Sequence, residues 1–172
     1  MSTADFSRVP MRASDLTLFV LACATVAASV IYLAVVYQDI PSRVPTHFNL
    51  MGDADAVGDK AMIWFGPVLM SIIIVALWIV AVINTNTGQG EHQLSERGHR
   101  TTIGLMRRML ALLALCMAAF SWESILLVSG RMEGGMWLLM SIAATIIISV
   151  VYSVRMLRVA KSEQRNTRPP RI

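Results

Sequence analysis

The side chains that could do chemistry gather in one polar stretch. Residues 37–60 read Tyr-Gln-Asp-Ile-Pro-Ser-Arg-Val-Pro-Thr-His-Phe-Asn-Leu-Met-Gly-Asp-Ala-Asp-Ala-Val-Gly-Asp-Lys. His47, Asn49, Asp53, Asp55 and Asp59 offer nitrogen and oxygen donors, and Lys60 ends the run with a cation. The spacing Asp53-x-Asp55-x-x-x-Asp59 suits oxygen ligands around a hard divalent cation. His47 brings zinc into range as well. The same groups could instead contact a ligand or partner. They could also serve the fold alone, with His47 and Asn49 bonding loop backbone and Asp59 capping the helix that follows. A carboxylate at a helix N-terminus gains about 0.3–1 kcal/mol. The residues leave all three readings open.

A second acid, Glu123, lies inside an apolar stretch. It sits roughly 7–8 Å below the end of its span, at 1.5 Å per residue. A carboxylate at that depth costs a few kcal/mol unless it is paired or protonated. Lys60, Arg43 and His47 are candidate partners from the loop. Glu123 then reads either as part of a proton or cation site formed with the loop, or as a structural hydrogen bond or snorkelling group. Farther along, Glu91, His92, Glu96 and His99 have the spacing of a metal cluster on a helical turn, but a solvated connector accounts for them as well. No nucleophile–base pair and no phosphate-cradling glycine loop is present in the sequence. The expectation is a protein that is not an enzyme, with no catalytic residues and no cofactor, a divalent cation at the loop being no more than a candidate.

The elements that must position these groups are apolar blocks. Hydrophobic residues make up 55% of the chain and charged residues 15%, against about 45–50% and about 25% in soluble domains. The excess falls in residues 16–37, 61–83, 109–128 and 136–154. Each block is long enough for a helix to cross a hydrocarbon core of about 30 Å. A lone segment in lipid must satisfy its own backbone, so each block is predicted to be helical. The first block is too long for the core of a cleaved signal and reads as an uncleaved anchor. Cys23 and Cys116 both fall inside blocks and read as small buried hydrophobes. Ala24 with Ala28, and Ala114 with Ala118, are small-xxx-small pairs suited to close helix contact. Pro67 comes early in its block, where proline is tolerated.

The net charge of +4 is explained by orientation rather than by nucleic acid. Of the 15 Lys and Arg residues, Arg43, Lys60 and Arg131 alone fall on one side of the four spans. The rest lie in the N-terminal tail, the middle connector and the C-terminal tail, a strong positive-inside bias. Arg107 and Arg108 are expected to snorkel at the inner boundary. Tyr37, Trp64, Trp122 and Trp137 then mark the outer interface, and Trp78 and Tyr152 the inner one.

Within the polar stretch, the run Ile40-Pro41-x-x-Val44-Pro45-Thr46-His47-Phe48-Asn49-x-x-Gly52-x-x-Asp55-x-x-Gly58-x-Lys60 resembles the signature of a bacterial membrane domain of unknown function. That domain also forms the N-terminal part of SdpI-type proteins. The resemblance covers the first two spans and their loop. Ala54, Val57 and Asp59 stand where the family pattern has a proline, an aromatic residue and a serine. SdpI-type proteins confer immunity to a secreted killing peptide and take part in signalling, so the resemblance implies recognition outside the cytoplasm.

The reading is an all-α integral membrane protein of the bacterial plasma membrane. It has four transmembrane helices, both termini in the cytoplasm, and an ordered extracytoplasmic loop at 38–60. A tail at 1–15, a two-span domain at 16–83, a flexible connector at 84–102, a two-span hairpin at 103–157 and a basic cytoplasmic tail at 158–172, disordered from Lys161 onward, make up the expected chain. Its expected role is non-catalytic recognition of an extracytoplasmic peptide or partner through His47, Asn49, Asp55, Lys60 and Glu123. His47, Asp53, Asp55 and Asp59 are the candidate metal ligands. The alternative is ion-coupled transport, or an accessory subunit of a larger membrane complex. The expected surroundings are a lipid bilayer and a membrane partner or second copy of the chain, with no nucleic acid.

Overall fold

A computed structural model describes residues 10–49, 53–83, 95–132 and 136–166. Four helices in this structure are long and apolar enough to cross a membrane. They are α1 (Ala13–Val36), α2 (Phe65–Ile83), α3 (Glu96–Val128) and α4 (Met136–Asn166). Between α1 and α2 the chain forms two strands, β1 (Arg43–Phe48) and β2 (Ala54–Asp59). Short 3-10 turns at 37–39 and 60–64 flank the pair.

The apolar blocks form α1 and α2 nearly as their lengths predict, because each must close its own backbone hydrogen bonds. The two later helices are longer than their apolar blocks. α3 begins at Glu96, inside the stretch read as a connector, where Ser95 Oγ accepts the Gly98 N–H at 3.1 Å. That bond meets one of the donors a helix start leaves unpaired. α4 continues to Asn166, so residues 161–166 are helical where the sequence predicts a disordered tail. Glu163 of α4 accepts the Ser95 N–H at 3.3 Å and ties the two helix ends together.

α3 is the hub, packing against each of the other three helices. Its contact face is built from small residues: Ala111, Ala114 and Ala118 are each 0% exposed. They meet Phe19, Ala22 and Val26 of α1 and Met70, Ile74 and Ala81 of α2. The absence of bulk lets the backbones approach closely. Of the two alanine pairs singled out by spacing, Ala114 and Ala118 do this work. Ala24 and Ala28 face outward instead, and Ala22 and Ser29 take the buried positions on α1. Across the same interface Ser29 and Ser121 hydroxyls lie 2.8 Å apart, and Trp122 Nε1 donates to Thr25 O at 3.1 Å. α4 packs on α3, and none of its most apolar window is buried within the chain.

A second apolar cluster lies where the strands meet the helices. Leu33, Val36, Ile40, Val44, Ile63 and Ile125 bury one another there. Tyr37 packs on Trp64 with ring centroids 5.8 Å apart, and Tyr32 on Trp122 at 5.2 Å. At the opposite end Phe19 meets Trp78 edge-on at 5.1 Å.

Candidate functional site

The polar stretch between α1 and α2 folds as an antiparallel hairpin, where the sequence suggested an ordered loop without naming strands. The register pairs Arg43 with Asp59, Val44 with Gly58 and Pro45 with Val57. It then shifts, so that His47 faces Ala56 and Phe48 faces Ala54. A two-stranded hairpin is marginal alone in water. This one is anchored through Val44, 1% exposed, and Ile40, 4% exposed, which enter the cluster above Ile125. Burying an aliphatic side chain of that size contributes about 1.5–3 kcal/mol. Gly58 is required by a close approach: a Cβ there would sit 2.6 Å from Thr46 Cγ2.

The hairpin pairs its polar groups locally. His47 Nδ1 and Asp55 Oδ1 are 2.5 Å apart across the strands, with the two side chains 69% and 45% exposed. Asn49 Oδ1 accepts the Asp53 N–H at 3.0 Å, and the Asn49 N–H donates to Asp53 O at 2.9 Å. Asp59 Oδ1 accepts the Ala61 N–H at 2.7 Å and caps the 3-10 turn that leads into α2. Lys60 Nζ donates to Tyr37 O at 3.4 Å and stands 4.6 Å from the centre of the Tyr37 ring. The lysine therefore fastens the end of α1 to the start of the second span.

The metal candidates do not converge. Among the described residues, no three His, Cys, Asp or Glu side chains form a group able to hold an ion. His47 with Asp55 is one pair, Asp53 turns to Asn49, and Asp59 uses its Oδ1 for the cap. Of the suggested cluster on the connector, Glu91, His92 and the Glu96 side chain lie outside the described residues.

Glu123 does not join the loop residues proposed for it. Its Oε1 accepts a hydrogen bond from Ser141 Oγ of α4 at 2.7 Å. Lys60, one of the partners considered, is held at Tyr37. Glu123 Oε2 is buried and meets no hydrogen-bond donor among the described residues. The acid thus joins α3 to α4, the helix with the least other attachment. Nearby, Met70, Cys116, Met117, Phe120, Thr145 and Ile146 help to line a cavity of about 170 Å³ between α2, α3 and α4.

Charged residues at the far end of the bundle depart furthest from expectation. Arg107 does not snorkel outward, whereas Arg108 keeps its side chain 31% exposed. Arg107 is 4% exposed and its Nε donates to Ala81 O near the end of α2 at 3.0 Å. Arg108 reaches Asp15, a residue 1% exposed in the first turn of α1. Sequence reading passed over Asp15. The available signal was an acid at the edge of one apolar block facing two arginines at the edge of another.

Residues 24–71 match the family described as Domain of unknown function (DUF1648). The matched segment takes in the latter half of α1, the whole hairpin and the first part of α2. It includes every hairpin residue just described and excludes Asp15, Arg107, Arg108 and Glu123. No curated protein and no solved structure matched the chain. The similarity to DUF1648 therefore attaches to the hairpin and the two helices that hold it, and α3 and α4 stand outside it.

Proposed function

We propose that this chain is a non-catalytic membrane protein that recognises a peptide or partner protein at its hairpin. One observation carries the reading: His47 and Asp55 are solvent-exposed yet held 2.5 Å apart on a hairpin anchored by the buried Val44 of β1. Fixed, exposed polar groups bind with little further loss of conformational freedom. A family match centred on the hairpin supports assigning the role to it rather than to the α3–α4 pair. The lysine and arginine distribution supports a hairpin on the outer side of the membrane and both termini in the cytoplasm, and the family resemblance supports a bacterial plasma membrane. The resemblance to SdpI-type proteins makes a secreted peptide one class of target, in an immunity or signalling role. Lys60 acts in this reading as a positioning residue, and Asn49 shapes the hairpin's end.

The test is photo-crosslinking in living cells from a photoreactive amino acid at position 56. A polypeptide adduct is expected, identified by mass spectrometry and lost on His47→Ala or Asp55→Ala. Adducts formed only from position 146, on α4, would overturn the hairpin reading and support an accessory subunit of a larger complex.

Glu123 supports a second reading, ion-coupled transport. A carboxylate inside an apolar span with one oxygen unmet is a place to bind a proton or cation. Proton-driven flux into proteoliposomes that is abolished by Glu123→Gln would favour it. Absence of flux in the wild-type protein would remove it.

A further inference from the structure

The two strands of the hairpin are not equivalent. β1 lies against the bundle, touching α3 and the 60–64 turn. β2 has every residue exposed except the half-buried Gly58, and among the described residues β1 is the element that packs along it.

The phase of the ladder tells which backbone groups of β2 are already spent. Lys60 donates its N–H to Ser42 O at 3.1 Å. Hydrogen-bonded and non-hydrogen-bonded pairs alternate along an antiparallel ladder. From Ser42–Lys60 through Arg43–Asp59 and Val44–Gly58, the alternation makes Pro45–Val57 a non-hydrogen-bonded pair. Pro45 has no N–H to give, so this phase suits it. The same phase turns the N–H and C=O of Val57 away from β1, toward the open edge. Such an edge is a template for another strand.

Charge is also divided between the strands. Arg43 and His47 are on β1, whereas Asp55 and Asp59 are on β2 with Asp53 just before it. Side chains alternate along a strand, so Asp55, Val57 and Asp59 share one face. The Val57 side chain is 55% exposed between the two acids.

We propose that β2 is a docking edge for an extended basic peptide segment, which adds as a third strand beside Val57 with Lys or Arg side chains toward Asp55 and Asp59. This rests on the recognition reading above and names its partner class. Backbone bonds along the edge supply affinity, and the alternating side chains supply selectivity. The fitting pattern is a basic residue, any residue, an apolar residue, any residue and a second basic residue.

The experiment uses the full chain in phosphatidylcholine nanodiscs and a displayed library of random decapeptides. Enriched peptides are expected to carry spaced Lys or Arg and no central proline. With such a peptide bound, hydrogen exchange should slow at the Val57 amide. Val57→Pro removes that outward donor without breaking a rung to β1. It should weaken binding about tenfold, the equivalent of one backbone hydrogen bond, while the Val44 amide keeps its protection. Val57→Thr, which retains the N–H, should bind like wild type. Binding that needs His47 and Asp55 but leaves the Val57 amide exchanging freely would overturn strand addition and leave the recognition reading standing. Enrichment of acidic peptides, or none above empty nanodiscs, would overturn the proposal outright.

Discussion

Arg108 reaches from α3 to α1 and sets its Nε 3.0 Å from Oδ1 of Asp15. The carboxylate is 1% exposed, and neither oxygen accepts a well-formed hydrogen bond among the described residues. The attraction is therefore mainly Coulombic, and strong because little water screens it. The Arg108 side chain is 31% exposed, but Arg107, 4% exposed, also faces the Asp15 charge, so losing Asp15 leaves that buried guanidinium uncompensated, at a cost of up to about 3–5 kcal/mol. Asp15→Ala should lower the melting midpoint of the detergent-solubilised protein, followed by size-exclusion chromatography after heating. Replacing both residues with leucine should recover much of the loss, since two packed apolar side chains can equal a buried ion pair. An Asp15→Ala protein that melts with the wild type would show that the pair contributes nothing.

Gly58 is set by Thr46. A Cβ at position 58 would stand 2.6 Å from Thr46 Cγ2. Gly58→Ala should force the strands apart and raise amide exchange across residues 43–59. Thr46→Ser removes the obstructing methyl group, so the double variant should regain protection. Equal exchange in the single and double variants would place the cause elsewhere.

Asp59 caps the turn that leads into α2. Its Oδ1 accepts the Ala61 N–H at 2.7 Å. Asp59→Ala should cost about 0.5–2 kcal/mol, the usual loss for such a cap, and Asp59→Asn much less. Addition of calcium or zinc should move the melting midpoint of neither variant. A midpoint raised by metal in the wild type and lost in both variants would restore Asp59 as a ligand.

The Ser141–Glu123 bond holds α4 to α3. Glu123→Gln retains an oxygen that can accept from Ser141, so it should be tolerated better than Ser141→Ala, which strips the acid of the donor it has. Cysteine pairs placed across α3 and α4 should cross-link more slowly in Ser141→Ala than in Ser149→Ala. Ser149 Oγ donates to Thr145 O within its own helix at 2.8 Å, so its loss leaves the interface intact. The reverse order would assign the attachment to apolar packing alone.

Orientation can be read by labelling. In a background of Cys23→Ala and Cys116→Ala, Asp53→Cys should react with a membrane-impermeant maleimide in intact cells. Labelling only after permeabilisation would reverse the proposed topology.

The hairpin is legible as an ordered segment, because Pro41 and Pro45 stiffen its first half and Gly52 and Gly58 permit turns in its second. Its strands were not legible, because Ala54-Asp55-Ala56-Val57-Gly58-Asp59 lacks the apolar alternation of a half-buried strand. β2 is a strand through its ladder with β1, and it buries almost nothing of its own. Glu123 is evident as an acid in an apolar span, and the sequence points to the loop for its partner. Ser141 is ordinary in sequence, and only the docking of α4 brings it to the carboxylate.

By itself the sequence determined the number, approximate place and helical nature of the four apolar segments. Those follow from length and from the need of each segment to satisfy its own backbone, both local properties of the chain. It also determined the polar hairpin segment, through residue types that restrict the backbone locally. The tertiary structure decided which helix is the hub and which alanines are buried. It also decided the partners of four charged groups: Asp15 to Arg108, Arg107 to Ala81, Lys60 to Tyr37 and Glu123 to Ser141. Such pairings join residues distant in sequence, and their partners depend on the rotation and depth of one helix against another, which no local pattern encodes.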